Sequence, residues 1–142
     1  MLATFYRRFI KGFSTIAAPL TDCLKRESFE WNVAAQASFE NLKKNLTIAP
    51  ILAVPDFDKT FELDCDATGV GIGGVLGQES KPIAYYSEKL TGLRLRYCTY
   101  DLEFYAIIHS LKHWQYYLAY KEFILNTDHE ALKHINNQPN LN

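Results

Sequence analysis

An α/β architecture is predicted for this chain: a short N-terminal helical segment followed by a mixed sheet with flanking helices. Three observations predict it. Over residues 5–26, Phe5, Phe9, Phe13, Ile16, Leu20 and Leu24 recur at intervals of three or four, as on one face of a helix. From residue 61 the period falls to two, with Phe61, Leu63 and Cys65 alternating with Glu62, Asp64 and Asp66. A helix-like stretch from Tyr100 to Leu118 then separates this strand pattern from a last one, KEFILNTD.

In chain order, Gly12 and Pro19 are expected to break the first helical segment into pieces. Arg7 and Lys11 are four apart and would share a helical face, with Arg8 beside them, making a small basic patch among aromatics. Charge alone makes such a patch an ordinary solvated face. A second helix is predicted from Asn32 to Leu46, with Asn32 as its cap and an aromatic pair in the preceding FEW. Pro50 and Pro55 in TIAPILAVPDFDK argue for an extended crossing segment, because proline lacks the amide hydrogen and biases its predecessor away from helix. The boundary is placed there, dividing a helical unit, residues 1–50, from an α/β unit, residues 51–142.

Beyond it, FELDCDA, GVGIGGVLG and KPIAYYSEKL, the last two joined by QES, read as a three-stranded antiparallel meander. TGLRLRY is a loop, Thr99 a helix cap, KEFILNTD a fourth strand and HEALKHIN a short final helix.

A chain of 142 residues suits one domain or two small units, and its 48% hydrophobic and 14% aromatic content is that of a globular protein. No apolar run nears the roughly 18 residues that span a bilayer, and no signal peptide is visible. Cys23, Cys65 and Cys98 are odd in number and unpaired by CxxC spacing, which fits a reducing, intracellular setting, cytoplasmic or nuclear. The net charge is −1, yet residues 1–50 hold seven Lys/Arg against four Asp/Glu, and residues 51–142 hold eight against twelve. A basic arm beside an acidic metal-binding unit would have that asymmetry.

Several motifs have bland readings that outweigh the sharp ones. Gly69 to Gly74 match G-x-G-x-x-G, but no helix former follows, so the segment is read as a glycine-rich strand that lets a helix or substrate backbone approach. His109 and His113 are four apart on one helix but lack the glutamate of HExxH and a third ligand, so they are read as surface or half-buried histidines. Trp114, Tyr116, Tyr117 and Tyr120 are read as core rather than as base-stacking residues.

The chemistry is expected at three acids. Asp66 ends a strand predicted to be central, Glu103 lies in the first turns of the long helix, and Asp128 ends the fourth strand, so the three can converge at one edge of the sheet. Ala106, one turn beyond Glu103, lets that helix lie close. Asp101 cannot join Glu103, since positions two apart on a helix face nearly opposite ways. Clustered carboxylates repel, and divalent cations such as Mg²⁺ or Mn²⁺ keep them ionised. Two such ions about 3.5–4 Å apart suit phosphodiester cleavage.

FYRRFIKGFSTIAAPLTDCLKR, FEW, FELDCDATGVGIGGVL, PIAYYSEKL, RYCTYDLEFYAIIHSLKHWQYYL and FILNTDHEAL, in that order, resemble the Pol polyprotein of gypsy-type LTR retrotransposons. They correspond to the end of its reverse transcriptase and a truncated ribonuclease H domain. The resemblance implies an incomplete ribonuclease H-like fold and metal-dependent hydrolysis of RNA in RNA/DNA hybrids. Asp66, Glu103 and Asp128 then match three of the family's metal-binding catalytic acids, and Mg²⁺ or Mn²⁺ is the expected cofactor. Residues 1–50 match the polymerase's thumb and connection, with Arg7, Arg8 and Lys11 on the nucleic-acid backbone. Its partners would be the hybrid and the remainder of the Pol polyprotein, with no membrane and no small-molecule cofactor. The polymerase palm and fingers are not among the matched segments, and the family's fourth carboxylate would lie after Asn142, an arrangement expected to expose apolar surface. Two other readings stand beside this one: a noncatalytic nucleic-acid-binding remnant, and a nucleotide-binding protein using the glycine segment.

Overall fold

The computed structural model describes residues 2–25, 27–48 and 51–127. A 3₁₀ helix, Leu2–Phe9, leads into α1, Phe13–Cys23, and α2, Val33–Thr47. Strands β1, Glu62–Ala67, β2, Gly71–Gln78, and β3, Lys81–Lys89, follow as an antiparallel meander. A second 3₁₀ helix, Gly92–Arg96, then α3, Thr99–His113, and α4, Gln115–Leu118, lead to β4, Ile124–Asn126. The sheet order is β3-β2-β1-β4, and β4 runs parallel to β1. The expected mixed α/β fold with flanking helices is therefore what forms, and β1 is a central strand. Among the described residues no helix is long and apolar enough to cross a membrane.

Local chemistry accounts for most boundaries. Gly12 sits at the N-terminus of α1 with φ +65°, a left-handed conformation that glycine adopts without a Cβ penalty, so it separates α1 from the 3₁₀ helix. Asn32 caps α2 by accepting the Ala35 amide at 2.8 Å. Trp31 makes the expected aromatic pair with Phe29, ring centroids 6.4 Å apart, and also meets Phe39 at 6.0 Å. Buried Gln78 pins the crossing segment, its amide nitrogen donating to the Asp56 carbonyl at 2.7 Å and its amide oxygen accepting the Asp56 amide at 2.9 Å.

Five expectations need correction. Pro19 does not break the first segment; it lies inside α1, and Gly12 alone divides it. Lys11 falls in the turn after the 3₁₀ helix, so the helical spacing that would align it with Arg7 does not apply. Cys98, not Thr99, caps α3, and Trp114 interrupts the long helix with non-helical φ −108°, ψ 24°, giving α3 and α4. Of the four aromatics read as core, Trp114 is buried at 4% exposure, whereas Tyr116, Tyr117 and Tyr120 are exposed, Tyr117 with its ring stacked on Phe57. Because the helix changes course at Trp114, α4 presents Leu118 rather than its tyrosines to the core.

The sheet is covered on both sides, and its glycines allow that. Leu63, Cys65, Ile72, Gly74, Leu76 and Tyr86 share the face toward α3. A Cβ at Gly74 would lie 2.5 Å from Ser110 Oγ and 3.0 Å from Trp114 Cζ3. On the opposite face, a Cβ at Gly71 would lie 2.8 Å from Thr15 Oγ1 of α1. The glycine-rich strand thus lets a helix approach each face, as expected, and it is followed by no nucleotide-binding helix. Phe61, Leu63, Leu76, Ile83, Trp114 and Leu118 form the principal core, while Ile10, Phe13, Ala17 and Leu42 form a second core between α1 and α2.

Candidate active site at the end of the central strand

Asp66 stands one residue before the end of β1, opposite Gly73 of β2. The strand stops there because Thr68 closes a turn: its amide donates to the Gly71 carbonyl at 2.8 Å, and its hydroxyl accepts the Gly71 amide at 3.1 Å. Asp64 and Asp66 are both exposed and share the face toward α1. They line a groove of about 260 Å³ together with Lys11, Thr15, Thr68 and Gly73. Glycine on the groove floor leaves room for a backbone or an ion to come near the strand.

Glu103 comes from the other side. In α3, Glu103, Ile107 and Ser110 are spaced i, i+4 and i+7 and so share a stripe, on which Ile107 is 3% and Ser110 0% exposed. Glu103 is therefore the half-buried, N-terminal member of the stripe that faces the sheet. Its neighbours Leu102 and Ala106 cluster with Ile72 and Leu90, and Cys65 and Ala67, which flank Asp66 in sequence, pack against that cluster. Asp101 is exposed and accepts the Cys98 thiol at 3.2 Å, so it is turned away, as helical geometry required. Asp128 and the short final helix lie outside the described residues. In β4, Asn126 is opposite Asp64, and Thr127 is the last residue described. Among the described residues, no group of three or more His, Cys, Asp or Glu side chains could hold a metal.

The basic residues divide. Arg7 bonds inward: its guanidinium donates to Ser14 Oγ at 2.6 Å and to the Ser87 carbonyl. Arg8 is exposed, its guanidinium 5.0 Å from the centre of the Phe9 ring, and Lys11 is exposed at the groove. The two histidines do not converge: His109 Nδ1 lies 3.4 Å from Glu88, and the His113 ring stacks on Tyr86 with centroids 4.5 Å apart.

Two features escape sequence reasoning. Burial pushes the Cys65 thiol, next to Asp66, up to about 11. Glu88 gathers four side chains, from residues 86, 94, 105 and 109, around one carboxylate. No sequence motif marks it, because its partners come from three separate elements.

A family model described as "RNase H-like domain found in reverse transcriptase" matches residues 31–125. The chain is 35% identical over 141 residues to the retrovirus-related Pol polyprotein from transposon 297 of Drosophila melanogaster, covering 96% of this chain and 13% of that polyprotein. It is 37% identical over 136 residues to the transposon Tf2-3 polyprotein of Schizosaccharomyces pombe, covering 90% of this chain and 10% of that one. The chain thus spans about a tenth of the length of these relatives. Among solved structures, the foamy viral protease-reverse transcriptase dRH in complex with double-stranded DNA aligns over 96% of this chain and 25% of its own, with a TM-score of 0.80 at 18% identity. The same viral enzyme in complex with an RNA/DNA hybrid aligns over 85% of this chain and 17% of its own, with a TM-score of 0.73 at 20% identity. At that identity the structures speak for the fold, and the residues 31–125 speak for the family: this chain belongs to the RNase H-like domains found in reverse transcriptase, within the Pol polyproteins of retrotransposons.

Proposed function

We propose that this chain is the ribonuclease H part of a retrotransposon reverse transcriptase and hydrolyses the RNA strand of RNA/DNA hybrids with Mg²⁺ or Mn²⁺. The observation that carries this reading is the placement of Glu103 on the sheet-facing stripe of α3, packed at the end of the strand that bears Asp66. Asp66 and α3 belong to opposite faces, so an ion held by both carboxylates would sit around the end of β1, where the strand stops at Ala67. Asp128 is the third ligand in this reading. The resemblance to the Pol polyproteins supplies it, since Asp128 lies outside the described residues. Hard carboxylate oxygens, one of them exposed on a groove, suit a hard divalent cation. A divalent cation held there would supply an activated water and stabilisation of the leaving oxygen.

The chain's own residues position the substrate. The glycine floor at Gly73 admits the sugar-phosphate backbone to the groove, and Lys11 at its rim offsets the phosphate charge. Residues 1–50 are the thumb and connection in this proposal, and residues 51–142 the nuclease. Arg8 and Lys11 contact the hybrid backbone, while Arg7 holds the segment on the sheet.

Cleavage of a labelled RNA/DNA hybrid with and without Mg²⁺ or Mn²⁺, beside Asp66→Asn, tests the reading. Metal-dependent cleavage lost in the variant supports it. Hybrid binding without cleavage by folded protein would leave the noncatalytic binding remnant, to which the exposed Arg8 and Lys11 already lend themselves.

A further inference from the structure

The Glu88 carboxylate, outside the candidate site, holds four side-chain partners. Its Oε2 accepts the Tyr86 hydroxyl at 2.6 Å and lies 3.4 Å from His109 Nδ1. Its Oε1 accepts Arg94 at 3.2 Å and the Tyr105 hydroxyl at 3.3 Å. Each oxygen therefore serves two partners, one carboxylate joining β3, the second 3₁₀ helix and α3. The second 3₁₀ helix buries none of its residues, so Arg94 is a principal tether, reinforced where its guanidinium lies 5.1 Å from the Tyr105 ring centre.

Tyr105 and His109 are four apart and mark one flank of α3, beside the stripe that carries Glu103, Ile107 and Ser110. A helix packed on a sheet can roll about its axis, and the close approach of Ser110 to Gly74 seats α3 along its centre line without fixing either flank. Bonding one flank to β3 removes that freedom. We propose that Glu88 is a positioning residue for Glu103: by fixing the roll of α3 against β3, it sets where the Glu103 carboxylate stands relative to the end of β1. This rests on the reading of Asp66 and Glu103 as metal ligands, and it assigns Glu88 no contact with metal or substrate.

The test is Mn²⁺ binding to the whole chain, read by electron paramagnetic resonance in the absence of nucleic acid. Wild type is compared with Glu88→Gln, Glu88→Ala and Glu103→Gln, all checked for folding by circular dichroism. Glu88→Gln keeps the shape and an acceptor, so it decides the matter where Glu88→Ala fails to fold. Partners bonded directly to a ligand are worth about 10–100-fold in metal affinity, and Glu88 acts one step further back through α3, so Glu88→Gln is expected at the low end, weakening Mn²⁺ binding about tenfold. Saturating Mn²⁺ is expected to restore cleavage, with KM for the hybrid unchanged. A general loosening of the fold would not produce that split. Mn²⁺ affinity within about twofold of wild type in folded Glu88→Gln overturns the positioning role, since ligand-orienting partners act well above that. Absence of Mn²⁺ binding by wild type, or binding indifferent to Glu103→Gln, overturns the metal-site reading itself and the inference with it.

Discussion

Glu88 shows how one residue's surroundings set a pH dependence. Burial pushes its carboxyl up, but hydrogen bonds from Tyr86 and Tyr105 and the nearby charges of His109 and Arg94 outweigh this and hold it below the ordinary 4.5. A folded-state pKa lower than the unfolded one stabilises the fold fully above pH 4.5, and the contribution is lost as pH falls through the folded value. Thermal unfolding of wild type should therefore lose stability on acidification below pH 4.5 more steeply than that of Glu88→Gln; parallel profiles would contradict it. Gly74 carries a second residue-scale expectation. A methyl group there would be forced against Ser110 and Trp114, so Gly74→Ala should cost about 1–3 kcal/mol in denaturant unfolding, as overpacking does. Removing the Ser110 hydroxyl in the same chain should return part of that loss, because contacting sites are not additive. The positions of Asp66 near a strand end and of Glu103 in the first turns of a helix, and the strand character of the glycines, were legible in sequence, since strand alternation and helix periodicity each assign a face to a position. Glu88 was not, because a hub assembled from residues 86, 94, 105 and 109 leaves no local spacing to read.

Elements were legible where the chain carries its own punctuation. Asn32, Gly12 and the alternation of FELDCD fixed α2, the start of α1 and β1. Reading failed where tertiary packing decided: Pro19 is accommodated within α1, and Trp114 leaves helical geometry and turns Tyr116 and Tyr120 toward solvent. Two substitutions test this punctuation. Asn32→Ala removes the acceptor for the Ala35 amide and should destabilise the protein by about 1 kcal/mol, measured by urea unfolding. At the β2–β3 turn, Glu79 and Ser80 have φ +51° and +63°, a two-residue turn that favours glycine at its second position. Ser80→Gly should therefore raise stability by up to about 1 kcal/mol, since relief of left-handed strain is worth roughly 1–2 kcal/mol before the added unfolded-state entropy of glycine is subtracted. A loss instead would mean that the Ser80 side chain contributes more than its backbone costs.

The whole molecule joins a helical N-terminal segment to the sheet through a polar seam rather than through one continuous core. Ser14 donates its amide to Ser87 Oγ at 3.0 Å, the Ser87 hydroxyl bonds Ser14 Oγ at 3.1 Å, and Lys89 pairs with Asp22 at 2.5 Å. Arg7 completes the seam with its bonds to Ser14 and the Ser87 carbonyl. The three basic residues that sequence grouped together should consequently separate in their effects. A charge that meets phosphate releases counterions, so removing it lowers the slope of log affinity against log salt by about one per contact. Lys11→Gln is expected to lower that slope for hybrid binding while leaving thermal unfolding near wild type, and Arg8→Gln is expected to lower the slope likewise. Arg7→Gln is expected to do the reverse. Loss of hydrogen bonds from a charged group to a partly buried seam should cost about 1.5–3 kcal/mol of stability, with little change in slope. Equal slope changes for all three would return Arg7 to the nucleic-acid contacts and leave the seam to the two serines and Lys89.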